Sequence, residues 1–310
     1  MVFRYCTALL ALAAAFPAHA QTYPDIVETS EETQALIAAE EAYLPQGDWR
    51  LRSSQHGCSV RRDFTLGDER VTLSMRRLQP GMPIQYALFG TEFSAGEPVE
   101  AGFVPGSGLA RYTRLSRASI GERDGFVYAG FPFPSPQGES RPDERALSPM
   151  AEFYVIQGEE ADPIILRTGP MRGPLNNLAE CATDNLVELG VDVGALGSML
   201  RRSSLQNVQE VSAHLGASYP RAARRDGQQG PVLIRVIVGP DGSVMHCHVA
   251  SYLTARALRE AACEVMRDHG EFEPALDFSD EPAADVYVER IIFSLQSMSW
   301  PNSDGTNPDQ

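Results

Sequence analysis

Lysine is absent from this chain of 310 residues; all 26 of its basic side chains are arginine. That excludes a lysine Schiff base, acylation through a Ser-x-x-Lys motif and the lysine of a phosphate-binding loop. Positive charge is in short supply as well. The 26 bases face 41 acids, for a formal net charge of −15, so the basic footprint of a nucleic-acid binder is missing. The apolar run from Ala8 to Phe16 falls short of the about 20 residues that a spanning helix needs, and no other stretch approaches that length. Catalytic motifs are equally scarce. Gly106-Ser107-Gly108 lacks the Gly-x-Ser-x-Gly spacing, Asp241-Gly242-Ser243 has the wrong order for an aspartic-protease triplet, and there is no His-Glu-x-x-His. These absences predict a non-enzymatic protein without catalytic, metal or cofactor sites. The alternative is an envelope enzyme whose site lies unrecognised within residues 49–190.

What is present starts with an export signal. Arg4 supplies a positive charge, the apolar run follows, and Ala18-His19-Ala20 forms a small-x-small cleavage site before Gln21. Cys6 lacks the small-residue context of a lipid-anchored start. The expected mature chain is periplasmic, runs from Gln21 to Gln310, and at that length holds one or two cores. Residues 21–48 carry seven acids and no base. Thr29-Ser30-Glu31-Glu32 reads as a capping box that opens a short helix reaching Tyr43, with Pro45 and Gly47 ending it.

From Trp49 the pattern turns to strands and defines a β-rich domain over 49–193. Val71, Leu73 and Met75 alternate with polar neighbours, Ile84, Tyr86 and Leu88 repeat the period, and Pro80-Gly81 marks the turn between them. Further strands are expected at 126–131, 153–156 and 164–166. Leu175, Leu178, Ala182, Leu186 and Leu189 then fall on one helical stripe, with Gly190 at its C-terminal cap. In an oxidising compartment Cys58, Cys181, Cys247 and Cys263 are expected as disulfides. Four cysteines allow three pairings; the domain boundary favours Cys58 with Cys181 and Cys247 with Cys263. His56 beside Gly57-Cys58 suggests a Cys/His pair, but a disulfide-bonded cysteine is no nucleophile.

Residues 194–215 read as a linker with some helical character, and 298–310 as a disordered tail. Between them, Val232 to Val238 and Ser243 to Ala250 form a hairpin about Gly239-Pro240-Asp241-Gly242. Its second strand contains Met245-His246-Cys247-His248-Val249. Strand alternation places Met245, Cys247 and Val249 on one face and Val244, His246, His248 and Ala250 on the other. A ligand cluster of all three His and Cys side chains is thereby excluded, and no third ligand for His246 and His248 is evident. A helix from Leu253 to about Arg267 follows, with Leu258, Ala262, Val265 and Met266 facing the sheet.

Over residues 216–297 a series of elements resembles the TonB C-terminal domain family. It comprises Tyr219-Pro220-Arg221-Ala222-Ala223, Gly227, Gly230, the strand 232–238, Pro240-Asp241-Gly242-Ser243-Val244, Ser251, Leu258, Ala261-Ala262, Phe272-Glu273-Pro274-Ala275 and Ile292-Phe293-Ser294-Leu295. A cysteine pair at 247 and 263 also fits exported members. The resemblance implies an α+β fold, with a three-stranded antiparallel sheet and two helices following the β-rich domain. It further implies capture of an extended peptide beside the last strand by β-augmentation, the partner being an outer-membrane TonB-dependent receptor. The partner-binding residues so implied are Val286, Tyr287, Val288, Glu289, Arg290, Ile291 and Phe293, and edge-strand homodimerisation is a further implication. The start reads as cleavable, the long Pro-rich spacer of TonB proteins is absent, and Arg259 stands where the family often has an acid. The expectation is therefore a soluble periplasmic partner-binding protein connected with outer-membrane transport, with a membrane-anchored energy transducer as the alternative.

Overall fold

The computed structural model describes residues 31–295, apart from 40, 55, 91–97, 107, 114, 121–122, 134–142, 159–161 and 251–254. The signal, its cleavage site, residues 21–30 of the acidic lead-in and the C-terminal tail lie outside the described residues. Among the described residues, no helix is long and apolar enough to cross a membrane.

The fold is mixed α+β. In chain order the first part comprises α1 (Glu31–Ala39), β1 (Leu44–Arg52), β2 (Cys58–Leu66), β3 (Glu69–Arg77), β4 (Ile84–Phe89), β5 (Val99–Val104), β6 (Ala110–Tyr112), β7 (Ser116–Ile120) and β8 (Arg123–Gly130). It continues with α2 (Glu144–Leu147), β9 (Phe153–Gly158), β10 (Ile164–Arg167) and α3 (Arg172–Glu188). A six-stranded sheet in the order β1-β2-β3-β4-β8-β7 and a four-stranded sheet in the order β10-β9-β5-β6 share one core with α3. The alternation read from the sequence accounts for this: Leu73, Met75, Tyr86 and Leu88 all point inward and are buried. Gly125 lies so close to the neighbouring strand that a Cβ there would meet the Leu88 carbonyl oxygen at 1.8 Å, so only glycine fits that point of the β4–β8 pair. Gly190, with φ +83°, takes the left-handed cap just beyond α3.

The start of this domain differs from the expectation. Tyr43 is not helical: it bridges to Leu166, and β1 runs straight through Pro45 and Gly47. The strand accepts both because it is a sheet edge. There a proline costs no ladder bond on the open side, and Gly47, at φ +65°, supplies the register shift between Gln46 and Arg50.

The second part comprises α4 (Val193–Leu196), β11 (Ser204–Leu205), α5 (Val208–Ala217), α6 (Arg221–Arg225), β12 (Gly230–Val238), β13 (Val244–Val249), α7 (Arg256–His269), β14 (Phe272–Glu273), β15 (Ala275–Leu276), β16 (Pro282–Ala283) and β17 (Asp285–Phe293). A three-stranded antiparallel sheet in the order β13-β12-β17 carries α5 and α7 on one face. Val232, Ile234, Val236 and Val238 point to that face, where Val211 and Leu215 of α5 meet Leu258, Ala262 and Met266 of α7. The stretch expected as a linker thus contributes part of this core.

Two disulfides pin helices to strands, Cys58 to Cys181 on α3 and Cys247 to Cys263 on α7. In the hairpin one detail corrects strict alternation. The register slips between Ile237 and Val238, so that Ile237 pairs with His246 and Val238 with Val244. The extra residue, Met245, is exposed, and Val244 turns to the helix-covered core. A β-bulge shifts every side chain on one side of it by one face.

Candidate functional site

The C-terminal sheet has two edge strands, β13 and β17, each paired only with β12 among the described residues. Just past the end of β13 the first domain reaches the main chain, where Arg76 donates to the Ala250 carbonyl at 2.6 Å. On β17 no strand lies beyond among the described residues, because β17 pairs only with β12.

Antiparallel pairing turns alternate residues of an edge strand outward, and side-chain bonds identify which they are. The Val286 amide donates to Asp285 and its carbonyl accepts from Arg202, while the Arg290 amide donates to Glu289. Even-numbered positions therefore present their main chain to the open side, and Val288 and Ile292 occupy the same phase. Asp285 anchors the start of the strand. It is buried and accepts from the Arg202 guanidinium and from the amide and hydroxyl of Ser203, all between 2.8 and 3.0 Å. Capping part of an edge with charged side chains is a common guard against unwanted strand addition.

The side chains proposed from the sequence divide by face. Ile291 and Phe293 point into the helix-covered core and turn their main chain to β12, while Val286 points into a smaller cluster with Leu186, Val191 and Ile237, its amide and carbonyl bonded to Asp285 and Arg202. Tyr287 packs edge-on against Phe272, with ring centroids 5.1 Å apart, and its hydroxyl donates to Glu289 at 2.8 Å. Burial, followed by the nearby Glu289 carboxylate, pushes the Tyr287 phenol up. Val288 is half-buried against the α3–α4 corner. Arg290 is exposed and lies on the face away from the helices.

That outer face of the sheet meets the first domain. Leu189, Val193 and Leu196 cover Ile237, Val286 and Val288 at one end of β12 and β17. Next to them Arg235, only 1% exposed, donates to the Leu78 carbonyl and to the Asn185 side chain, both at 2.9 Å. One clue to this contact is visible in the alternation of the strand, an arginine sharing a face with Leu233 and Ile237. His246 and His248 also lie on this face, stacked at 5.9 Å, and His56 brings a third ring to 6.3 Å from His248. The surroundings are cationic. Burial, then Arg235 and the neighbouring histidines, lower His248 to about 4; burial, then Arg76 and Arg259, lower His56. Such a setting opposes a metal cation, and no ligand cluster forms among the described residues.

At the other end of β12 and β17 the domains part around a cleft of about 660 Å³, within the usual range for ligand sites. Pro231, Leu233 and Arg290 line one wall; Gln85, Tyr112 and Tyr128 lie on the other, with Arg111 and the start of β7 at the rim. This cleft was not legible in the sequence, because its two walls lie more than a hundred residues apart along the chain.

Residues 216–295, about a quarter of the chain, match the family model described as Gram-negative bacterial TonB protein C-terminal. A TonB C-terminal domain therefore forms this end of the molecule. It is a non-enzymatic, periplasmic type of protein-interaction domain associated with TonB-type interactions at the cell envelope. No curated protein and no solved structure matches the chain.

Proposed function

We propose that this is an exported periplasmic protein, its signal removed after Ala20, that captures an extended segment of an outer-membrane TonB-dependent receptor by adding it as a strand beside β17. The observation that carries this reading is the one-sided pairing of β17, whose even-numbered positions turn their main chain away from β12, within a TonB C-terminal domain. The physics is that of β-augmentation: main-chain bonds supply affinity, and side chains along the edge supply choice.

The test is hydrogen exchange on the mature protein, with and without a peptide from the periplasm-facing N-terminal segment of such a receptor. Capture at this edge predicts slower exchange of the Val288 and Ile292 amides, with the β12 amides unchanged. Binding that leaves both edge amides exchanging as before would refute the reading.

A further inference from the structure

We infer that the β-rich domain forms the second wall of the partner site, and that the cleft between the domains selects a partner strand carrying an acidic side chain where it passes Arg290. This rests on the edge-capture reading above and adds the chemistry of the residue selected. In an added strand, every second side chain shares a face with its lateral neighbour on β17. The residue opposite Arg290 on its face therefore points away from α5 and α7, to the side of the sheet on which Arg290 lines the cleft.

The charge of that space runs against the rest of the protein. The chain as a whole is at −15, yet among the described residues no carboxylate lines the cleft, and two arginines, Arg111 and Arg290, do. A net acidic protein attracts no acidic partner by its bulk field, so a preference for acid must be local, through the Arg290 guanidinium. Burial pushes the Tyr112 phenol up to about 12, so the ring remains a neutral hydroxyl able to donate to a carboxylate. A second copy of this chain fits the cleft less well. The residues of β17 on that face, Val286, Val288, Arg290 and Ile292, include no acid, so strand pairing between two copies brings arginine but no counter-charge. The occupant that satisfies the cleft is an extended segment of another protein, β-forming on either side of an aspartate or glutamate.

The test titrates three nonapeptides of alternating Thr and Val, with Glu, Ala or Lys at the centre, into isotope-labelled mature protein, and follows the amide signals of residues 285–293. The Glu peptide should bind at least tenfold more tightly than the Ala peptide, with Lys weakest, and the gap should shrink as salt is added. Arg290→Gln should bring the Glu and Ala peptides to within twofold of each other. Arg111→Gln, at an exposed rim position, should shrink the gap in part. Equal affinity for all three peptides, with shifts along β17, would overturn the selection and leave edge capture standing. A Glu preference that survives both substitutions would place the acid elsewhere and likewise overturn it. Concentration-dependent β17 shifts without peptide would make a second copy the occupant. No β17 shift with any peptide would remove the edge reading itself.

Discussion

His248 sets a pH dependence that follows from its surroundings. Its folded-state value of about 4 lies below the ordinary 6.5, so between those two pH values the unfolded chain binds a proton that the folded chain refuses. Stability is then fully present above about pH 6.5 and falls as the pH drops through that window. The ring is partly exposed, so the loss is expected to be about 1–2 kcal/mol rather than the full value of the shift. His248→Gln should reduce the slope of the stability curve between pH 4 and 6.5 in urea titrations, leaving the part that the lowered His56 contributes; an unchanged slope would contradict this. Asp63 acts lower on the scale. Burial alone would raise it, but hydrogen bonds from Thr72, Arg70 and Arg50 outweigh that and hold it at about 2. Its contribution is present above pH 3.8 and lost between 3.8 and 2, and Asp63→Asn should remove that acid limb.

At the scale of elements, the disulfides and the close approaches set the tolerances. The bond between Cys247 and Cys263 closes a separation of 16 residues, so the Cys247→Ala, Cys263→Ala double variant should lose about 3 kcal/mol. The bond between Cys58 and Cys181 spans 123 residues, and the corresponding double variant should lose about 4–5 kcal/mol. Equal losses from the two pairs in denaturant unfolding would contradict a chain-entropy origin. Gly130→Ala should cost about 1–3 kcal/mol, because its Cβ would stand 2.4 Å from the Tyr112 hydroxyl and displace a wall of the cleft. Melting temperature reports the cost. Strands such as β3, β4 and β12 and the helix α3 were legible in the sequence because period-2 and period-3.6 patterns are local. The Met245 bulge was not, since a one-residue slip leaves the composition of the hairpin unchanged; nor was the passage of β1 through Pro45, which depends on its place at a sheet edge.

Across the whole molecule, the two hydrophobic cores are joined by the Leu186–Val286 cluster and by Arg235, which reaches from β12 into the first domain. Arg235→Ala would leave the Leu78 carbonyl and the Asn185 side chain without these bonds in a buried place, at a cost of about 3 kcal/mol. The expected result is that a single calorimetric transition splits in two, the domains unfolding separately; a lower but still single transition would show that the apolar cluster alone couples them. Of the candidate site, the edge strand and its family likeness were readable from residues 216–297. The cleft was not, because the face carrying Arg290 gains meaning only once residues 85–129 fold against it. The most direct test of strand capture at β17 is the pattern of intermolecular NOEs between the labelled protein and an unlabelled receptor peptide. The account predicts backbone contacts from the peptide to Val288, Arg290 and Ile292, in strand register; contacts to His246 and His248 on β13, or to the first domain alone, would contradict it.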